Sequence, residues 1–493
     1  MMPSSLLEIY IERVKETLGN PTDLVVRNLK IKINHQKVNI ALVYIAGIVK
    51  EEEIENYIIE PIQQFRINDA ADGIIHILQH EIIQVKAVTI VKSLEELVKE
   101  LLKGQTAILV EEHEEVLLGN TSMWKERAVE EAQGQRVAKG PVIGFNENLD
   151  TNISLLRKSI KSEELRFEKR TLGTITNTDI CLVYLEKTVD KKVLRELNKR
   201  LEKINLQKVL ESNYIEEFIS DDFFTPFPLT LSTDRPDVVT GEITEGKVAI
   251  LVEGTPYALV VPAVFIQFLQ APDDYYYKSG GFLRLFRVLS LILAIYLPAL
   301  YVAFVNFHPG LLPGDLLISL ISQREGKPLP LVIEVLLFMF LFQIILEGAT
   351  RLPKALVFVI SIVGTIIIGQ SSVEAGLAQP ATLLVVSMSY IFSFVNPIVT
   401  LAPAIRTIRY VFILCAAFLG LYGVIMATLT LLFHLNHLRS FGVPYLSPIS
   451  PFSIQDQRDT VFRVSFDETA NTSHSFHHEE PVSKGSKKKG KGE

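Results

Sequence analysis

The stretch IALVYI at 40–45 is apolar at every position, and ICLVYL repeats it at 180–185. A strand with one face in water alternates apolar and polar side chains, so an unbroken apolar run marks a strand covered on both faces. A second pair, AILVEE at 107–112 and AILVEG at 249–254, keeps almost the same offset. Two anchors at one spacing predict a duplicated unit rather than two unrelated modules with Val/Ile-rich strands.

The flanking pattern repeats in the same order. In the first unit, strands are predicted over 24–33 and 37–49, with NHQ as turn material between them. Helices follow over 51–65, where Ile54, Ile58 and Ile62 are four apart, over 69–79, and over 93–103. Ser93 and Glu96 have capping-box spacing. TAILVE and EVLLG then form a hairpin-like pair. The second unit runs through EKRTLGTI and DICLVYLEKTV, helices over 191–204 and 209–219, then KVAILVEG and YALVVP. Between the units, Leu149, Ile153, Leu156 and Ile160 predict an amphipathic bridging helix capped by Asn148. The first twenty residues read as a short amphipathic helix with Leu6, Ile9, Ile11, Val14 and Leu18 on one side and Ser4 or Ser5 near its cap.

After about residue 280 the pattern changes. Between Ala355 and Ile405 the only charged side chain is Glu374, and from Tyr410 to Asn436 there is none apart from an ionisable His434. Helices of water-soluble domains show a polar face, so these runs predict lipid burial. The stretch 282–307 is long enough to cross a bilayer, with Pro298 as a kink and Arg284 and Arg287 at a cytoplasmic end. Further apolar segments are 331–353, 354–369, 381–399 and 406–438, while 308–330 is too polar to span. Five crossings would part the two termini, so one short segment, 331–346 or 381–396, is expected to re-enter. The expected fold is a duplicated α/β N-terminal module followed by an α-helical polytopic membrane domain. Its parts are 1–130, a linker and bridging helix over 131–165, 166–278, the transmembrane domain over 279–440, and a C-terminal segment over 441–493.

Glu334 and Glu347 interrupt an apolar helix, and an ionised carboxylate at mid-bilayer costs about 2.5–3.5 kcal/mol. They are candidate gating or packing charges, with Arg351 four residues after Glu347 as its natural partner. On the next segment Ser361, Thr365, Ile368 and Ser372 share one helical face beside Gly364 and Gly369. Such a stripe suits either a pore lining or close helix packing in lipid.

The net charge of −7 averages two environments and decides little. Cys181 and Cys415 fall in a strand-like and a membrane run, so no disulfide is expected, and no cysteine-histidine cluster predicts zinc. The N-terminus lacks a basic-then-apolar export signal, so the module is expected in the cytoplasm. No phosphate loop, nucleophile elbow or HExxH is present, and an enzyme is not expected. No cofactor is expected, and the basic cluster lacks the aromatic interleaving of nucleic-acid binders. The end, with NTSHSFHHEE and KGSKKKGKGE, reads as a disordered polar tail that can touch anionic lipid.

Six separated stretches resemble one family, the A subunits of GerA-type spore germinant receptors. They are GFNENLDTNISLLRKSI (144–160), STDRPDVV (232–239), VEGTPYALVVP (252–262), FLQAPDDYYYKS (268–279), GQSSVEAGLAQP (369–380) and LRSFGVPYLSPISP (438–451). Asp234 stands where the family usually has Glu, and the end after Phe466 has no family counterpart. The resemblance implies a multi-pass subunit of the spore inner membrane with a transporter-like B subunit, which binds the nutrient, and a lipoprotein C subunit as partners. It also implies self-association, as a pentamer, around a nutrient-gated path for monovalent cations. The alternatives are a related accessory protein encoded with dipicolinate-channel genes and a non-conducting membrane scaffold.

Overall fold

The structure is a computed structural model that describes residues 6–33, 36–64, 73–123, 131–132, 134–135, 137, 139–275, 280–353, 356–357, 362, 364 and 369–452. The chain forms two compact units. Among the described residues, one holds the chain through Asp221 together with Thr230–Pro262; the other holds Asp222–Leu229 and the chain after Pro262.

The first unit contains two five-stranded antiparallel sheets. In the first, β1 (Leu24–Ile33), β2 (Gln36–Ile45), β3 (Val88–Val91), β4 (Gln105–Val110) and β5 (Val116–Asn120) lie in the order β1-β2-β4-β5-β3. In the second, β6 (Leu165–Leu172), β7 (Thr178–Leu185), β8 (Leu231–Thr233), β9 (Val248–Val252) and β10 (Ala258–Val261) lie in the order β6-β7-β9-β10-β8. The two orders are the same when counted from each unit's first strand. The pairing register agrees as well, with Ile40 opposite Val110 in one sheet and Ile180 opposite Val252 in the other. The two sequence anchors are therefore the second and third strands of each sheet.

The apolar run of β2 divides by parity. Ile40, Leu42 and Tyr44 pack with Ile54, Ile58, Ile62, Ile74 and Leu78. Ala41, Val43 and Ile45 pack with Leu7, Val14, Leu18, Leu97 and Leu101. Side chains of a strand alternate between faces, so each face needs its own helical cover. The N-terminal helix, Leu6–Leu18, buries Leu7, Ile11, Val14 and Leu18, while Ile9 is exposed. A 3.6-residue period carries position 7 rather than 9 onto the stripe with 11, 14 and 18. Ser4 and Ser5 lie outside the described residues. Ser93 precedes the helix Leu94–Leu101 without a side-chain cap bond, so the expected capping box is not formed. Asn148 does cap the bridging helix Leu149–Ser159, its side-chain oxygen accepting from Thr151 N at 2.8 Å.

Two buried arginines tie loops to this unit. Arg157 on the bridging helix donates twice to Asp23, at 3.0 Å each, and stacks 4.5 Å over the Phe167 ring. Arg235 donates to Gln135 O (3.2 Å), Pro141 O (2.7 Å) and the Asp237 carboxylate (2.7 and 3.0 Å). Beside it, Asp234 accepts from Gly134 N at 2.6 Å.

In the second unit, three helices are long and apolar enough to cross a membrane among the described residues: Phe282–Phe307, Leu331–Arg351 and Val399–His437. Pro380–Ser393 is a shorter apolar helix. Cross-contacts give their directions. Tyr301 Oη stands 3.2 Å from Thr382 Oγ1, and Ser389 Oγ donates to Ala294 O at 2.7 Å, so the short helix runs antiparallel to the first membrane helix. The second runs with the short helix, since Glu334 meets Gln379 and Tyr390 Oη donates to Met339 O at 2.7 Å.

The last apolar run doubles back. Its 36 residues from Ala402 to His437 contain Gly420 at φ 60°, ψ −136°. A straight helix would be about 54 Å long, well beyond a bilayer core of ~30 Å. A β-carbon at Gly423 would stand 2.0 Å from the Cys415 carbonyl oxygen. Tyr296 touches the Phe412 ring (centroids 4.9 Å) and donates to Thr428 Oγ1 at 3.0 Å. An unbroken helix would hold Cys415 and Gly423 about 12 Å apart, and Phe412 and Thr428 about 24 Å. The stretch is thus a pair of helices folded tip-down at Gly420, where Phe307 fills the space a β-carbon would need at 2.7 Å. The expected single span over 406–438 is two antiparallel arms.

Candidate functional site

The second unit buries charge in three places. Nearest the start of the first membrane helix, Asp274 is fully buried and accepts from Arg284 Nε (3.1 Å) and Arg287 Nη1 (2.7 and 2.9 Å). Two guanidinium groups on one carboxylate make a charge-assisted cluster that fixes the loop before the helix against its first turns. Arg284 and Arg287, expected at a cytoplasmic end, both turn their side chains onto Asp274.

At the opposite end of that helix lies Glu334, with no exposed surface. Its Oε1 accepts from Gln379 N at 2.6 Å. Tyr301, Gln379 and Thr382 complete a buried polar group, Tyr301 Oη lying 3.4 Å from Gln379 Oε1. Glu334 sits in the first turn of its helix, Leu331–Arg351, with its carboxylate buried and holding a backbone amide.

Between these two, Arg409 is 2% exposed and lies 4.5 Å over the Tyr390 ring. Its Nε and Nη1 have no hydrogen-bond partner among the described residues. The Phe342 ring stacks with Tyr390 as well, at 5.5 Å between centroids. A guanidinium does not lose its proton in proteins, so its charge here rests on the aromatic face. Hydropathy gave no hint of this residue, since Arg409 only borders the charge-free run; its position about two turns into an apolar helix was the available signal.

Glu347 and Arg351 pair at 2.7 Å as their spacing implies, with side chains 55% and 77% exposed. With Gln343, Ile344 and Gly348 they line an open cavity of ≈ 490 Å³. Ser361, Thr365 and Ile368 lie outside the described residues. Ser372 is half-buried at the start of a short helical turn, Ser372–Glu374. A β-carbon at Gly364 would meet Ile345 Cδ1 at 3.2 Å, which fits close helix packing; at Gly369 it would meet nothing within 4 Å.

The first unit offers a polar groove of ≈ 410 Å³ lined by Asp150, Lys169, Asp179 and Glu253 among others. Its charges are already engaged: Lys169 Nζ meets Asp150 at 2.6 Å, and Glu253 accepts from Leu149 N at 2.7 Å. Cys181, on the fully buried strand β7, has its thiol pushed far up by burial and is no nucleophile. Among the described residues no group of three or more His, Cys, Asp or Glu side chains could hold a metal ion.

The chain is 40% identical over 456 residues to spore germination protein KA of Bacillus subtilis, covering 92% of this chain and 84% of that one. It is 32% identical to spore germination protein GerLA of Bacillus cereus, covering 94% of each. It is also 36% identical to the uncharacterized membrane protein YfkQ of Bacillus subtilis, over 86% of this chain and 82% of that one. Among solved structures, the N-terminal domain of the A subunit of the Bacillus megaterium spore germinant receptor GerK3 matches all of its own length and 54% of this chain, at 30% identity and a TM-score of 0.39. The match to the Bacillus/Clostridium GerA spore germination protein family spans residues 12–474. The chain is a membrane protein and belongs to the GerA family of spore germination proteins.

Proposed function

We propose that this chain is the A-type subunit of a nutrient germinant receptor, and that copies of it surround a path for monovalent cations in the spore inner membrane. In this reading a transporter-like B subunit binds the nutrient and a lipoprotein C subunit completes the receptor. The observation that carries it is family membership over residues 12–474 joined to a membrane unit that buries Glu334 and Arg409, neither of them in an ion pair among the described residues. Ionisable groups inside a membrane bundle are costly and mark sites of function.

The helix directions support an even number of crossings. Gly280, Arg351, Ser393, Ala402 and His437 fall at one end of the bundle, and Phe307, Leu331, Gln379 and Gly420 at the other. The short helix Pro380–Ser393 then crosses rather than re-enters. The α/β module and the C-terminal tail share the cytoplasmic side, which satisfies the positive-inside bias for Arg284, Arg287, Arg406 and the lysine-bearing tail together.

The path is assigned to the face of Ser361, Thr365, Ile368 and Ser372. Thr365→Leu is expected to reduce nutrient-triggered potassium release from spores several-fold while the protein still co-purifies with its B and C partners. Release at the wild-type rate in that variant would remove this face from the path.

A further inference from the structure

The segment Asp222–Leu229 leaves the α/β unit and belongs to the membrane unit. Its middle is pinned there. Thr225 Oγ1 lies 2.9 Å from His434 Nε2, and the Phe227 ring is buried among His434, Phe265 and Tyr445, with centroids 6.1–6.2 Å apart. Its tip is not covered. Phe223 is 67% exposed and Phe224 92%, the two rings edge-to-face at 5.6 Å. Asp222 holds the turn that presents them, accepting from Phe224 N at 2.9 Å.

The depth of this tip follows from the helices. His434 stands less than two turns beyond Thr428, which meets Tyr296, on an arm that runs back toward the start of the first membrane helix. That places the tip in the first turns of that helix, the zone of the Asp274–Arg284–Arg287 cluster. The same zone carries other uncovered rings: Phe282 at 63%, Phe286 at 48% and Phe433 at 77%. Aromatic side chains gather at both faces of a membrane, where a ring sits at head-group depth. An exposed pair on a rigid polar turn, in register with that band, is chemistry for a lipid interface rather than for water.

We propose that Phe223 and Phe224 are an interfacial anchor: a loop of the otherwise soluble-looking part of the chain that wedges its two rings into the head-group and upper acyl region of the cytoplasmic leaflet. The proposal rests on the membrane reading of the helices but not on ion conduction. Its consequence is that the chain meets the bilayer at this loop before it enters it at the first membrane helix.

Trp124 is the sole tryptophan in the chain, so Trp124→Phe gives a silent background for reporter tryptophans. The full chain carrying Phe224→Trp, reconstituted in phosphatidylcholine–phosphatidylglycerol vesicles, is expected to be quenched roughly twofold more by lipids brominated near the head group than by lipids brominated deep in the chain. It is also expected to resist aqueous iodide relative to Ile175→Trp, an exposed position of the α/β unit. Phe223→Trp gives the same readout should the first variant fail to accumulate. Quenching by iodide without quenching by lipid would overturn the proposal in favour of a solvated loop. Shielding from both quenchers would overturn it in favour of a protein cover, a second copy or a partner subunit. Leu429→Trp, on the terminal helix, is expected to report deep bromine; if it does not, the membrane reading itself fails, and the anchor with it.

Discussion

At Glu334 one carboxylate oxygen holds the amide of Gln379, and Tyr301 and Thr382 stand in the same buried polar group. Glutamine keeps an acceptor in the same place, whereas alanine leaves a buried N–H without a partner, a cost of about 1–3 kcal/mol. Glu334→Gln is therefore expected to melt within a few degrees of wild type in detergent, and Glu334→Ala clearly below it. If both melt alike, the amide bond is not what the side chain is there for, and a charge-dependent role is left. Glu216 offers a second test at this scale, in the α/β unit. Burial raises its carboxyl above the usual carboxylate range, and the nearby Glu211 adds to the effect, against a lowering bond from Thr230. A raised folded-state value means the group's stabilisation is full below the ordinary carboxylate range, near pH 4.3, and falls as pH rises through the folded value. Glu216→Gln should remove that loss, so the variant gains on wild type in chemical denaturation at pH 7 but not at pH 4. A gain that is equal at both values would mean that titration plays no part.

Gly420 decides the geometry of the terminal helix pair. Alanine there takes a left-handed conformation that costs about 1–2 kcal/mol, and its methyl meets Phe307 as well. Gly420→Ala should lower the amount of folded protein in membranes, and Phe307→Ala should restore part of it; no change in either variant would remove the tight fold-back. This break was not legible in the sequence, because a hydropathy window averages over a single glycine in a charge-free run. What was legible followed from strong periodicity: β2, β4, β7 and β9, the bridging helix with its Asn148 cap, and the long apolar runs. The edge strands β3 and β8 were missed for a physical reason. They are four and three residues long, and β3 is exposed at Thr89 and Ile90, so neither shows the apolar run of a central strand. The partners of Glu334 were out of reach too, since Tyr301, Gln379 and Thr382 come together only when three helices pack.

For the whole molecule, the two sheets with one strand order mean that the module is built twice on a single plan. Each sheet carries basic residues along its outer strand, Arg27 and Lys30 on β1 and Arg166, Lys169 and Arg170 on β6. Charges on an edge strand discourage pairing with another sheet. Self-association of the chain is thus expected to use helices or loops, and replacing Lys30 and Lys169 by valine should produce edge-to-edge aggregates visible by size exclusion. The crossing scheme has its own test. Single cysteines in the N-terminal helix and in the tail should label from the same side of sealed vesicles, and one at Ser319 from the other. Labelling of the tail opposite the N-terminal helix would return the scheme to an odd count.

The folded-back pair Ala402–His437 bears on how the protein enters its bilayer. Its tip, AAFLGLYG, holds no charge, and neither does any residue from Tyr410 to Asn436 once His434 is neutral. A nascent chain can therefore deliver both arms as one greasy wedge, without hauling a hydrated loop through hydrocarbon, and Arg406 near its base keeps the wedge from sliding through.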